Sequence, residues 1–135
     1  MAQEAFKNAK THPEQVITLQ AMCNTKLPSV IERLLPLARP GAVSHALRPQ
    51  VIYALRPLGQ INRNKFLSAV MPLILNITET TEIRIAAVST LFASQPTFLD
   101  LQQLVGAAVW ERNTEVLNYM VTSFRVSTFL FFLYW

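Results

Sequence analysis

A stretch of this chain repeats itself thirty-six residues further on. Val30-Ile31-Glu32-Arg33-Leu34-Leu35-Pro36-Leu37 aligns with Phe66-Leu67-Ser68-Ala69-Val70-Met71-Pro72-Leu73. At the same offset Leu47-Arg48 meets Ile83-Arg84, Val51-Ile52 meets Ala87-Val88, and Leu55 meets Leu91. Apolar positions match apolar ones, proline matches proline and arginine matches arginine. A period of this length marks stacked helical hairpins, in which no single unit can bury its own apolar face and each must lean on the next.

The helical reading follows from the spacing of apolar residues and the placement of Pro. Pro13 opens a helix that runs to about residue 24, with Pro in its first turn. Pro28 and Ser29 open a second, over 29–38, which Pro36 should kink or shorten; Pro72 should do the same one repeat later. Arg39-Pro40-Gly41 is a turn. Pro49 makes the next helix awkward; its effective start is read at Ser44 or Arg48, its firm part is 50–55, and Pro57 and Gly59 end it. Further helices are read over 64–75, 82–94, 99–110 and 114–124, with Thr78, Thr80 or Thr81 available to cap the second of these. No segment alternates as a strand, and three glycines are too few for a turn-rich β fold. The expectation is an all-α chain, an α-solenoid of about three and a half stacked hairpins.

The last ten residues, 126–135, break the pattern. Val126-Ser127-Thr128-Phe129-Leu130-Phe131-Phe132-Leu133-Tyr134-Trp135 is apolar and aromatic, and half the length of the roughly twenty residues that span a membrane. The repeat segment is therefore taken as 1–125, with 126–135 as an unrelated tail outside the domain and a β-former by composition. The chain is 51% hydrophobic and 15% charged, apolar for a free-standing domain. Solenoid ends stay apolar unless capped, so the chain reads as a fragment of a larger protein.

The net charge is +4, but its distribution says more. Arg33, Arg39, Arg48, Arg56, Arg63 and Lys65 follow one another with no acidic residue between them. Such a stretch suits docking to an acidic receptor module or a polyanion; the plainer alternative is a solvated face with arginines tying hairpins together. No aromatic platform or binding motif accompanies the charge, which argues against nucleic acid. Cys23 is the only cysteine and has no internal disulfide partner; its helical spacing with Val16 and Leu19 reads as a small core residue.

Catalytic chemistry is not written here. His12 and His45 stand apart from any nucleophile-and-base pattern, no metal-ligand cluster is spaced along the chain, and there is no glycine-rich phosphate loop. Glu111 and Glu115 read as a solvated pair. The expectation is a non-enzyme with no cofactor and no metal. Asn76-Ile77-Thr78 is a glycosylation sequon in an inter-helix loop, which makes Asn76 the candidate acceptor.

Several segments in order resemble the N-terminal helical region of the large lipid transfer proteins, the family of vitellogenins, apolipophorins, apolipoprotein B and the microsomal triglyceride transfer protein. They are Gln20-Ala21-Met22-Cys23-Asn24 with Leu27-Pro28-Ser29-Val30, then Val51-Ile52-Tyr53-Ala54-Leu55-Arg56, then Asn76-Ile77-Thr78-Glu79. Glu82-Ile83-Arg84-Ile85-Ala86-Ala87 follows, with Pro96 some ten residues later, and Trp110 to Tyr119 closes the series. Pro49 departs from the family's pattern. The resemblance implies a helical arch that braces a lipid-binding cavity without covalent chemistry, in a secreted carrier whose signal peptide lies upstream. It implies lipid as the partner of the complete parent protein. The competing expectation is a free-standing helical-repeat scaffold that binds protein partners.

Overall fold

The computed structural model describes residues 2–133, without the side chains of Ala2, Gln3 and Phe131. Helices α1 (Ala2–Asn8), α2 (His12–Thr25) and α3 (Pro28–Glu32) lead to a 3-10 turn, Leu35–Ala38. Then come α4 (Arg48–Ala54), α5 (Leu58–Ile61), α6 (Arg63–Leu75), α7 (Thr81–Ala93), α8 (Phe98–Trp110) and α9 (Thr114–Leu133). No strand occurs among the described residues. The all-α expectation holds.

The repeat becomes two rows of helices. Helices α2, α4, α7 and α9 form an inner row in which each packs on its neighbour in turn. The 3-10 turn, α6 and α8 form the outer row, packed against α4, α7 and α9 respectively. The core lies between the rows. Leu47, Val51, Ile52 and Leu55 on α4 and its cap meet Ile83, Ala87, Val88 and Leu91 on α7, and Val116 and Met120 on α9 extend the same seam. Ala86 and Ala87 are fully buried, and their small side chains let α7 approach its neighbours on both sides.

Local chemistry sets the ends of these helices. Thr11 and Glu14 close a reciprocal capping box at α2, and Thr97 and Asp100 do the same at α8. Of the three candidate threonines, Thr80 caps α7, its Oγ1 accepting from the Ile83 amide at 3.4 Å. Of the two starts read from sequence the helix takes Arg48, so Pro49 falls in the first turn of α4, where a missing amide hydrogen costs nothing.

Three expectations need correction. The helix read over 29–38 is broken: α3 ends at Glu32, four residues before Pro36, whose ring and missing N–H forbid the bond to that carbonyl. Pro72, its repeat partner, sits inside α6 without ending it: nine residues of α6 precede it, and the Asn76 amide still bonds the Pro72 carbonyl at 3.0 Å. Helix α4 ends at Ala54, ahead of Pro57 and Gly59 as expected, and Leu58–Ile61 adds a short helical turn that the sequence reading did not include. Residues 126–133 are not extended but continue α9, because lengthening a helix already nucleated upstream requires no strand partner. Tyr134 and Trp135, the end of that tail, lie outside the described residues. Helix α1, which carries little apolar periodicity, was not legible in the sequence.

Candidate functional site

The most built polar features of the molecule are arginine rungs between successive hairpins. Arg48 at the start of α4 and Arg84 in the first turn of α7 are 4% and 3% exposed. Arg48 Nε donates to the Ala38 carbonyl at 2.8 Å, and Arg84 Nε donates to the Ile74 carbonyl at 3.0 Å. Ala38 and Ile74 are themselves thirty-six residues apart, and each lies at the C-terminal end of an outer-row element, where carbonyls lack intrahelical partners. A guanidinium there fills the vacancy and meets the negative end of the helix dipole.

The fork of each arginine then reaches forward to the next unit. Arg48 Nη1 and Nη2 donate to Glu79 Oε2 and Oε1 at 2.9 and 2.6 Å. Arg84 Nη1 donates to Glu111 Oε1 at 3.0 Å, and its Nη2 meets Glu111 Oε2. Glu79 follows α6 and Glu111 caps α8, so each arginine ties the C-terminal ends of two successive outer elements through one inner helix. The planar, bidentate geometry is what lysine cannot reproduce. Glu111 and Glu115, read from sequence as a solvated pair, are separated: Glu111 is spent on Arg84, while Glu115 is exposed on α9.

The opposite end of the stack carries a second set. Arg63, at the head of α6, donates through Nη1 to the carbonyls of Ser94 and Gln95 at 3.2 and 3.3 Å, and pairs through Nη2 with Asp100. Its guanidinium lies 5.8 Å from the centre of the Phe66 ring. Lys65 pairs with Glu32 at 2.9 Å in the open, with side chains 51% and 32% exposed.

Electrostatics follow the geometry. The Arg48 guanidinium holds the Glu79 carboxyl below its ordinary value, against the opposing effect of burial, and Arg84 does the same for Glu111. Burial pushes Asp100 upward, but the Thr97 amide and the Arg63 guanidinium outweigh it and leave its carboxyl below the ordinary value.

The six cations read from sequence as one docking stretch are therefore divided. Arg48 is buried in a rung, Arg63 is half-buried in another, and Lys65 is paired with Glu32. Arg33, Arg39 and Arg56 are exposed. Arg39 and Lys65 share a groove of about 570 Å³ with Pro36 and Pro72, and Arg56 lines a separate trough with Lys26. Sequence reasoning missed Glu79, Asp100 and Glu111 as partners. The signal was present, since a cation at the same place in two repeats, in a stretch without acids, must find its carboxylate in a neighbouring unit.

Asn76 is exposed in the turn between α6 and α7. Its Oδ1 accepts from the Thr78 amide at 3.0 Å and the Thr78 hydroxyl at 2.7 Å, which leaves the side-chain nitrogen outside those bonds. His12 and His45 are exposed and far apart in sequence. Among the described residues no group of three His, Cys, Asp or Glu side chains could hold a metal ion, and no helix is long and apolar enough to cross a membrane.

Comparison with known proteins assigns the sequence to a family. The model of the vitellogenin TPR domain matches residues 1–125. The chain belongs to that family. Vitellogenin-6 of Oscheius tipulae is 30% identical over 116 residues, which cover 86% of this chain and 7% of that protein. The chain thus spans a small part of the length of the vitellogenin it matches. No solved structure matches it.

Proposed function

We propose that this vitellogenin TPR segment serves lipid transport as part of the helical arch of a secreted, vitellogenin-like carrier, bracing a lipid-binding cavity formed elsewhere in the parent protein. The observation that carries the reading is the family match over residues 1–125. The rungs give it a physical basis. An arch that encloses apolar cargo must hold its curvature when the cavity fills and empties, and ties between the ends of successive outer helices resist splaying. The cargo itself is retained by the removal of apolar surface from water, at roughly 25 cal/mol per Å². No covalent step is involved, and the segment is no enzyme in this reading.

Two finer roles belong to the same proposal. A glycan on Asn76 fits a secreted parent and an exposed, side-chain-closed turn. Docking to an acidic receptor module or a polyanion would draw on those cations of the 33–65 stretch that stay exposed, Arg33, Arg39 and Arg56. The test of the main reading uses the parent carrier with and without Glu79→Ala and Glu111→Ala. Purified secreted protein should carry markedly less lipid per polypeptide when both rungs are cut. An unchanged lipid load in a correctly secreted variant would overturn the bracing role.

A further inference from the structure

Two adjoining hollows of about 320 and 260 Å³ run along one side of the inner row, between α2 and the α4–α5 segment. They share Cys23, Asn24 and Arg56, and so form one continuous trough. None of the residues lining it is acidic. Two cations face it. Arg56 follows α4, and Lys26 sits at the left-handed turn that ends α2, with φ 51°. Both are exposed, and neither makes an ion pair among the described residues, in contrast to Arg48, Arg63, Lys65 and Arg84.

The walls of the trough also carry side-chain amides. Gln20 and Asn24 stand one turn apart on α2, with Gln50 and Gln60 across from them, and none has a side-chain hydrogen bond among the described residues. Tyr53, 40% exposed, lies on the same wall. An amide both donates and accepts, which suits neighbouring hydroxyls, and a tyrosine ring offers a face for a sugar ring. Cations in the same trough suit sulfate or carboxylate groups carried by the same chain of sugars.

We propose that this trough is a binding site for a sulfated glycan, with Lys26 and Arg56 holding its anionic groups and the four amides its hydroxyls. The proposal deepens the docking reading above and rests on it, but moves the surface: Lys26, outside the 33–65 stretch, replaces Arg48, Arg63 and Lys65, whose charges are already met internally.

The test is binding of a heparin oligosaccharide at physiological salt, measured by calorimetry on the full chain. Lys26→Ser with Arg56→Ser should weaken binding about tenfold or more, because each charge-assisted contact is strong. Lys10→Ser with Arg112→Ser removes the same net charge away from the trough and should change binding by about twofold or less. Gln20→Ala with Gln60→Ala should weaken binding without altering its salt dependence, since no charge is lost. Thermal unfolding of each variant confirms that it is folded. Equal losses from the two charge-removing pairs would overturn the proposal in favour of diffuse attraction. Polyglutamate binding as tightly as heparin, and competing with it, would overturn it in favour of an acidic protein module. The lipid load of the parent carrier is expected to be unaffected by Lys26→Ser and Arg56→Ser, so this test can fail without touching the carrier reading.

Discussion

Cutting a rung should cost far more than cutting the surface pair beside it. Glu111→Ala leaves the Arg84 guanidinium, 3% exposed, without its carboxylate. Removing one partner of a buried ion pair costs about 3–5 kcal/mol, because the remaining charge is neither paired nor hydrated. In a chain of this size that corresponds to a fall in melting temperature of roughly 10–20 °C. Glu32→Ala removes a pair whose side chains are 51% and 32% exposed, and should cost about 1 kcal/mol or less. The double replacement Arg84→Met with Glu111→Leu sharpens the argument. It abolishes both buried charges, so most of the penalty disappears, but it strips the Ile74 carbonyl of the donors at 3.0 and 2.9 Å. An unsatisfied buried carbonyl costs about 1–3 kcal/mol, which places the double variant between wild type and Glu111→Ala. Urea unfolding, with the slope checked to be unchanged, measures all three. If Glu111→Ala and Glu32→Ala fall within about 1 kcal/mol of each other, the rungs are not the structural ties described here.

Acid should loosen the stack only well below neutrality. Glu79, Asp100 and Glu111 all have carboxyls held below their ordinary values, so their contribution is fully present above the unfolded-state values of 4.5, 3.8 and 4.5 and is lost as pH falls through the lower folded values. Melting temperature is expected to be flat in this respect from pH 7 to about 5 and to drop below about 4, and Glu79→Gln should flatten part of that drop; a decline confined to the range above 5 would contradict the assignment. Gly59→Ala should destabilise by about 1–3 kcal/mol through overpacking, since an added Cβ would stand 2.6 Å from the Ser94 Cβ. Ser94→Gly in that background should restore most of the loss, and a Gly59→Ala protein as stable as wild type would show that α5 can shift away from α7. Pro72→Ala returns an amide to the Ser68 carbonyl in an exposed position of α6 and should stabilise by about 1 kcal/mol or more in the same unfolding assay; a loss of stability would mean that the proline ring packs in the groove beside Pro36.

The hairpin register was legible because its signal is long-range and redundant. The equivalence of Leu47-Arg48 with Ile83-Arg84, drawn from sequence alone, corresponds in space to two arginines with the same carbonyl partner position and the same forward carboxylate. Single prolines were less legible because their effect depends on the helix around them. Pro36 ends a helix that begins only at Pro28, whereas Pro72 falls late in a thirteen-residue helix, with nine residues before it and three after. Pro49 left two starts open, Ser44 and Arg48, and the helix takes the one that puts the proline in its first turn. The docking stretch was hardest to read, since charge along a chain says nothing of which side chains a neighbouring repeat will consume. Lys26 was passed over for the same reason: its relation to Arg56 exists only once α2 lies against α4.

Helix α8 shows how the rungs and the packing divide the labour of holding the stack. Only Asp100 and Leu104 of this helix are buried, while Phe98, Leu99, Val109 and Trp110 are each more than 70% exposed. Its face is thus a weak anchor, and its position is set at its ends, by Asp100 on Arg63 and by Glu111 on Arg84. The rung series then stops. At the thirty-three-residue offset of this last hairpin, Val116 and Met120 stand where α7 has Ile83 and Ala87, and Leu117 takes the place of Arg84. Inner helix α9 keeps the apolar seam of its predecessors but has no guanidinium in that place to send forward. Hydrogen exchange should therefore be fastest in α8 when either carboxylate is removed, while α4 and α7, buried by the seam on both sides, stay protected. Equal exchange in α8 and α7 after Asp100→Ala would mean that apolar packing, rather than charge at the helix ends, keeps α8 in the row.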